Sequence, residues 1–81
     1  MNCAQLRAGR ALVRMTQVEL AAASGVSHAT IKRLEAMDGE LVANRATLAA
    51  LQRALEEAGV VFIAKGDNAE GDEGVRLRSA G

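Results

Sequence analysis

Residues 16–35 read TQVELAAASGVSHATIKRLE, and the fold turns on where this stretch breaks. Thr16 is a good helix N-cap, and Glu19 stands three residues later, the spacing of a capping box. Val18, Leu20 and Ala21 supply an apolar side for the helix that follows. Gly25 ends it, because glycine takes a left-handed backbone at little cost. Ser27 is the next N-cap, and a second helix covers about 28–36, with Ile31 and Leu34 on one face. Two short helices across a tight glycine turn can set the second one into the major groove of DNA.

The outward side of that second helix carries the chemistry. With Ile31 and Leu34 facing a core, helical spacing sends His28, Ala29, Lys32 and Arg33 the other way. Ser27, His28 and Ala29 stand at the helix start, the part of a recognition helix that meets base edges. Arg33 can pair bidentately with guanine O6 and N7. Lys32 lies nearer the flank, where phosphate is its target. Gln17, at the first turn of the preceding helix, can donate its amide to phosphate, beside the backbone N–H groups of that helix start.

Outward from this stretch, residues 4–14 read as a first helix, with Leu6, Ala8, Leu12 and Val13 inward and Arg7 and Arg14 outward. Gly39 is a stop after the third helix. Residues 38–46 form a connection without periodicity, in which Asn44 and Arg45 can touch the DNA backbone or minor groove. Thr47 is read as the cap of a fourth helix, whose Leu48, Leu51 and Leu55 make an apolar stripe ended by Gly59. The pattern then changes. VVFIA at 60–64 is a strand signal, GDNAEGDEG at 66–74 a polar turn, and VRLRS at 75–79 a second strand. Domain organisation is therefore residues 1–59 as the helical DNA-binding part and 60–81 as a carboxyl-terminal β-hairpin.

Both faces of the first strand are apolar: Val60 and Phe62 point one way, Val61 and Ile63 the other. One bundle can cover only one face. Val60, Val61, Phe62, Ile63, Val75 and Leu77 are thus the candidate dimerisation residues, with Arg76 and Arg78 as edge-guarding charges.

Composition narrows the function classes. The 81 residues are 49% hydrophobic with Phe62 as the only aromatic side chain, so aliphatic helix packing must supply the core. Net charge is zero, yet it is unevenly placed. Residues 1–35 carry Arg7, Arg10, Arg14, Lys32 and Arg33 against Glu19 and Glu35, a net +3, while both later segments are negative. Such polarity turns one face toward phosphates.

The lone Cys3 excludes an intrachain disulfide and reads as an incidental thiol near a mobile end. One cysteine and one histidine leave no zinc set, and the acids at 67–73 do not follow calcium-loop spacing. Ser24, Ser27 and Thr30 near His28 are explained by capping, so no catalytic pair is expected: not an enzyme, no cofactor, no metal. No apolar run suits a membrane and no secretory signal is seen, which favours a cytoplasmic protein.

In register, Thr16-Gln17, Glu19-Leu20-Ala21, Gly25-Val26-Ser27, Thr30-Ile31 and Leu34-Glu35 resemble the helix-turn-helix of the xenobiotic-response-element (XRE) and Cro/C1 repressor group. The resemblance covers about residues 4–59. It implies a mainly α, lambda-repressor-like bundle of four to five helices, here with a C-terminal hairpin. It also implies a homodimer that binds double-stranded DNA at an inverted-repeat operator, as a repressor in a bacterium or phage.

The family's contact positions match Gln17, Ser27, His28, Ala29, Thr30 and Arg33, and its frequent brace between first and third helices matches Arg10 and Glu35. The proline common after the third helix is missing, and 60–81 lies outside the shared domain. Two other readings stay open: the antitoxin of a toxin–antitoxin module, whose hairpin holds a toxin or other protein partner such as an anti-repressor, and a protein-interaction module that does not use DNA.

Overall fold

The computed structural model describes residues 1–66 and 72–78. Much of the turn read at 66–74, with Asp67 and Glu70, lies outside the described residues. The element order is α1 (Cys3–Leu12), α2 (Gln17–Ser24), α3 (His28–Glu35), α4 (Arg45–Glu57), β1 (Val60–Ile63) and β2 (Gly74–Leu77). This is the expected mainly α bundle with a terminal hairpin.

Local signals set most boundaries. Thr16 and Glu19 form a reciprocal capping box at the start of α2, and Gly25 closes that helix at φ 77°. Ser27 caps α3 by accepting the Thr30 N–H at 3.2 Å. α4 begins earlier than the sequence suggests. Asn44, not Thr47, is its cap, accepting the Thr47 N–H at 2.8 Å. Asparagine is at least as good a cap as threonine and adds a turn of helix here.

The core is aliphatic. Leu6, Leu20, Ile31, Leu34, Leu51 and Leu55 are completely buried, joined by Cys3, Leu41, Ala54 and Val60. Three readings need correction. Cys3 is no loose thiol: it is 1% exposed and its N–H bonds the Gly39 carbonyl. Asn2 caps α1 and pins the chain there, so the thiol packs as a small hydrophobe. Val18 is 60% exposed, because it lies about 200° around α2 from buried Leu20. Ala8 and Leu12 also face outward. The inward face of α1 is centred instead on Leu6 and Gly9, where the missing side chain admits Leu55 and Val60.

The hairpin is antiparallel, pairing Val60 with Leu77, Val61 with Arg76, Phe62 with Val75 and Ile63 with Gly74. Val60 enters the core, and Phe62 and Val75 pack against it. A clasp near the start of the chain holds it there. Asn2 and Gln5 form a capping box, and the buried Gln5 amide also donates to the Ile63 and Gly74 carbonyls at 3.2 and 3.0 Å. Among the described residues no helix is long and apolar enough to cross a membrane.

Candidate nucleic-acid interface

α3 is amphipathic in the way its sequence implies. Ile31, Leu34 and Glu35 are buried, while Ser27, His28, Ala29, Lys32 and Arg33 are exposed and Thr30 is half-buried. The helix start is thus open along one side. Ser27 and Thr30 are also bonded to each other through their hydroxyls at 2.8 Å, which orders that edge.

What holds α3 in place is an ion pair near the core. Arg10 Nε and Nη2 donate to the two Glu35 oxygens, each at 2.8 Å, and Nη1 donates to the Met15 carbonyl at 3.0 Å. The side chains are 23% and 6% exposed. Such a fork-on-fork pair fixes orientation as well as distance. Burial pushes the Glu35 carboxyl up, but hydrogen bonds from Arg10 and Gln17, with the Arg10 and Arg7 charges, outweigh it and hold the group below its ordinary value. The bond to Glu35 raises the Arg10 guanidinium in turn. Arg7, read as simply outward, caps the end of α3: its Nη1 donates to the Glu35 carbonyl at 2.6 Å. α1 therefore grips one residue of α3 through both its side chain and its backbone.

Gln17 joins this frame to the helix start. Its Nε2 donates to Glu35 Oε1 at 3.1 Å, and its Oε1 lies 3.1 Å from His28 Nε2. Gln17 is half-buried between them. The candidate contacts of the first and second reading helices thus meet in one network.

Arg45 is exposed at the first position of α4, and the Asn44 side chain is engaged in the cap just before it. Val60, Phe62 and Val75 face the bundle, whereas Val61 and Ile63 are half-buried on the opposite sheet face and Leu77 is 52% exposed. The sequence reading missed Asn2, Gln5 and Arg7. The N-x-x-Q spacing of Asn2 and Gln5 is a capping-box signal that could have found the first two.

No curated protein matches the chain. A family model described as helix-turn-helix matches residues 6–58, which takes in α2, α3, α4 and most of α1. With its capped helix pair, glycine turn and braced, outward-facing α3, the chain belongs to the Cro/C1-type (XRE) helix-turn-helix family of DNA-binding transcription regulators.

Proposed function

We propose that the chain is a repressor that binds an inverted-repeat operator as a homodimer, each protomer reading one half-site. The observation that carries this is the exposed start of α3 on a frame braced by Arg10 and Glu35. In this reading Ser27, His28, Ala29 and Thr30 meet base edges and Arg33 pairs with a guanine. Lys32, Asn44 and Arg45 hold the DNA backbone, while Gln17, its amide engaged by Glu35 and His28, orders the start of α3. The hairpin supplies the second copy's seat. Val61 and Ile63 form an apolar outer face beside Arg76, and Leu77, paired with Val60 on the other face, is more than half exposed at the sheet's end. A two-fold axis there must hold two recognition helices ~34 Å apart for them to read half-sites one helical turn apart.

Selection of bound duplexes from a random pool tests this, with mass in solution measured on the same protein. An inverted repeat and a dimer mass are expected. A single unpaired half-site bound by a monomer would remove the dimer, and no enrichment would remove the DNA reading. Arg33→Ala should relax one position per half-site; uniform weakening over all sequences would sink that assignment. Val61→Glu should yield monomers, and an unchanged dimer mass would place the interface elsewhere.

A further inference from the structure

Hydrogen-bond polarity runs in one direction from the core to the reading surface. An ionised carboxylate only accepts, so Glu35 Oε1 obliges Gln17 to offer its NH2 group. The Gln17 carbonyl oxygen must then face His28. That oxygen is also acceptor-only, and it lies 3.1 Å from His28 Nε2. The hydrogen of a neutral imidazole therefore belongs on Nε2, leaving Nδ1 as a bare acceptor at the first residue of α3.

We propose that the chain Arg10–Glu35–Gln17–His28 is a polarity relay that makes His28 an acceptor-only reader, selecting bases that present an exocyclic amine in the major groove. Those bases are adenine through N6 and cytosine through N4; guanine and thymine offer oxygen or nitrogen lone pairs there. Two lone pairs brought together leave a desolvated acceptor without a partner, which is how a hydrogen-bonding site rejects the wrong group. Gln17 and Glu35 act here as positioning residues, since they act through the imidazole. The inference rests on the proposed placement of His28 against bases, but the tautomer does not.

The experiment has two arms. In the first, nitrogen-15 spectra of the His28 ring are recorded on the DNA-free full chain at about pH 8.5, where histidine side chains in general are neutral. The relay requires essentially one tautomer, hydrogen on Nε2. Gln17→Met, which leaves the ion pair in place, should release the ring to a mixture of tautomers, and Glu35→Gln should do the same by letting the Gln17 amide turn over. Wild-type and Gln17→Met spectra that show the same populations overturn the relay, as does hydrogen on Nδ1 in the wild type. Gln17→Met keeps this arm decisive if Glu35→Gln unfolds.

In the second arm, wild type and Gln17→Met select from the same random duplex pool. The wild type should enrich one base pair at one position per half-site, and Gln17→Met should lose about fivefold to tenfold of that preference at that position alone. The rest of the motif should remain unchanged. Replacing the exocyclic amine at that position by hydrogen (purine for adenine, pyrimidin-2-one for cytosine) should weaken wild-type binding about fivefold to tenfold and Gln17→Met binding far less; equal weakening of both proteins, or none, overturns the base-selecting role. A pool that neither protein enriches overturns the DNA reading beneath it, while the ring spectrum still decides the tautomer.

Discussion

Replacing Arg10 by methionine should strongly destabilise the fold, and the structure gives a scale. The substitution leaves the Glu35 carboxylate, 6% exposed, without either guanidinium bond. Breaking a buried pair from one side costs about 3–5 kcal/mol. Arg10 is 23% exposed and Gln17 still donates to Glu35, so about 3 kcal/mol, the low end, is expected. A chain of 81 residues holds roughly 4–12 kcal/mol in total. The loss corresponds to a fall in Tm of about 12–24 °C at the usual sensitivity of small domains.

Glu35→Leu should cost less, about 2 kcal/mol, because Arg10 keeps the Met15 carbonyl and partial access to water. The double variant Arg10→Met/Glu35→Leu should recover to within about 1 kcal/mol of the parent, since an apolar pair removes both desolvated charges together. Urea denaturation of the four proteins at neutral pH closes the cycle. Single losses each below about 1 kcal/mol, or a double loss equal to their sum, would refute the view that α3 is held by this pair.

Other perturbations follow from single features. Arg14 sits at φ 55° in the left-handed region and is exposed; Arg14→Gly should raise stability by about 1 kcal/mol, and a loss in denaturant midpoint would show that its side chain supports the turn. Gln5→Leu removes one half of the α1 capping box and both bonds to the hairpin, so a cost of about 2–3 kcal/mol is expected, read by thermal unfolding; an unchanged Tm would mean that packing alone seats the hairpin.

Acid should also weaken the fold. The Glu35 carboxyl is depressed when folded, so its contribution is whole above the unfolded value of about 4.5 and is lost as pH falls below it. A denaturation midpoint that is flat between about pH 5 and 3 in the parent, yet falls in Glu35→Leu, would reverse that sign.

The two reading helices were legible because their signals are local. Thr16, Glu19, Gly25 and Ser27 act on backbone groups within a few residues of themselves. Helical spacing then separated Ile31 and Leu34 from His28, Lys32 and Arg33 without any tertiary knowledge. The brace was legible only through the family resemblance, since nothing in the spacing of Arg10 and Glu35 brings them together. Arg7 was not legible as a cap, because its acceptor is a backbone carbonyl 28 residues away that every residue possesses. Gln5 was legible as half of a capping box with Asn2 but not as the hairpin's anchor, whose acceptors are distant backbone carbonyls, and Cys3 was missed because a chain start without a recognised cap reads as loose. The hairpin's strands were visible, but not that Val60 belongs to the helical core. Cutting the chain at residue 59 would therefore uncover that core, and point changes on the outer sheet face are the better probe of association.

The clasp between the start of α1 and the hairpin has a kinetic consequence. Its bonds join residues 58 and 69 positions apart through Gln5, and 71 apart where Asn2 donates to Glu73. The α2–turn–α3 unit closes over a few residues. Long closures form late and open readily, because their loop entropy must be overcome before the contacts reward it. The clasp should thus be the first unit to open and the last to close. Its amides should exchange with solvent water while those of α2 and α3 remain protected. Equal exchange throughout would mean one cooperative unit; unequal exchange would mean a molecule that can loosen its hairpin while its reading helices stay assembled.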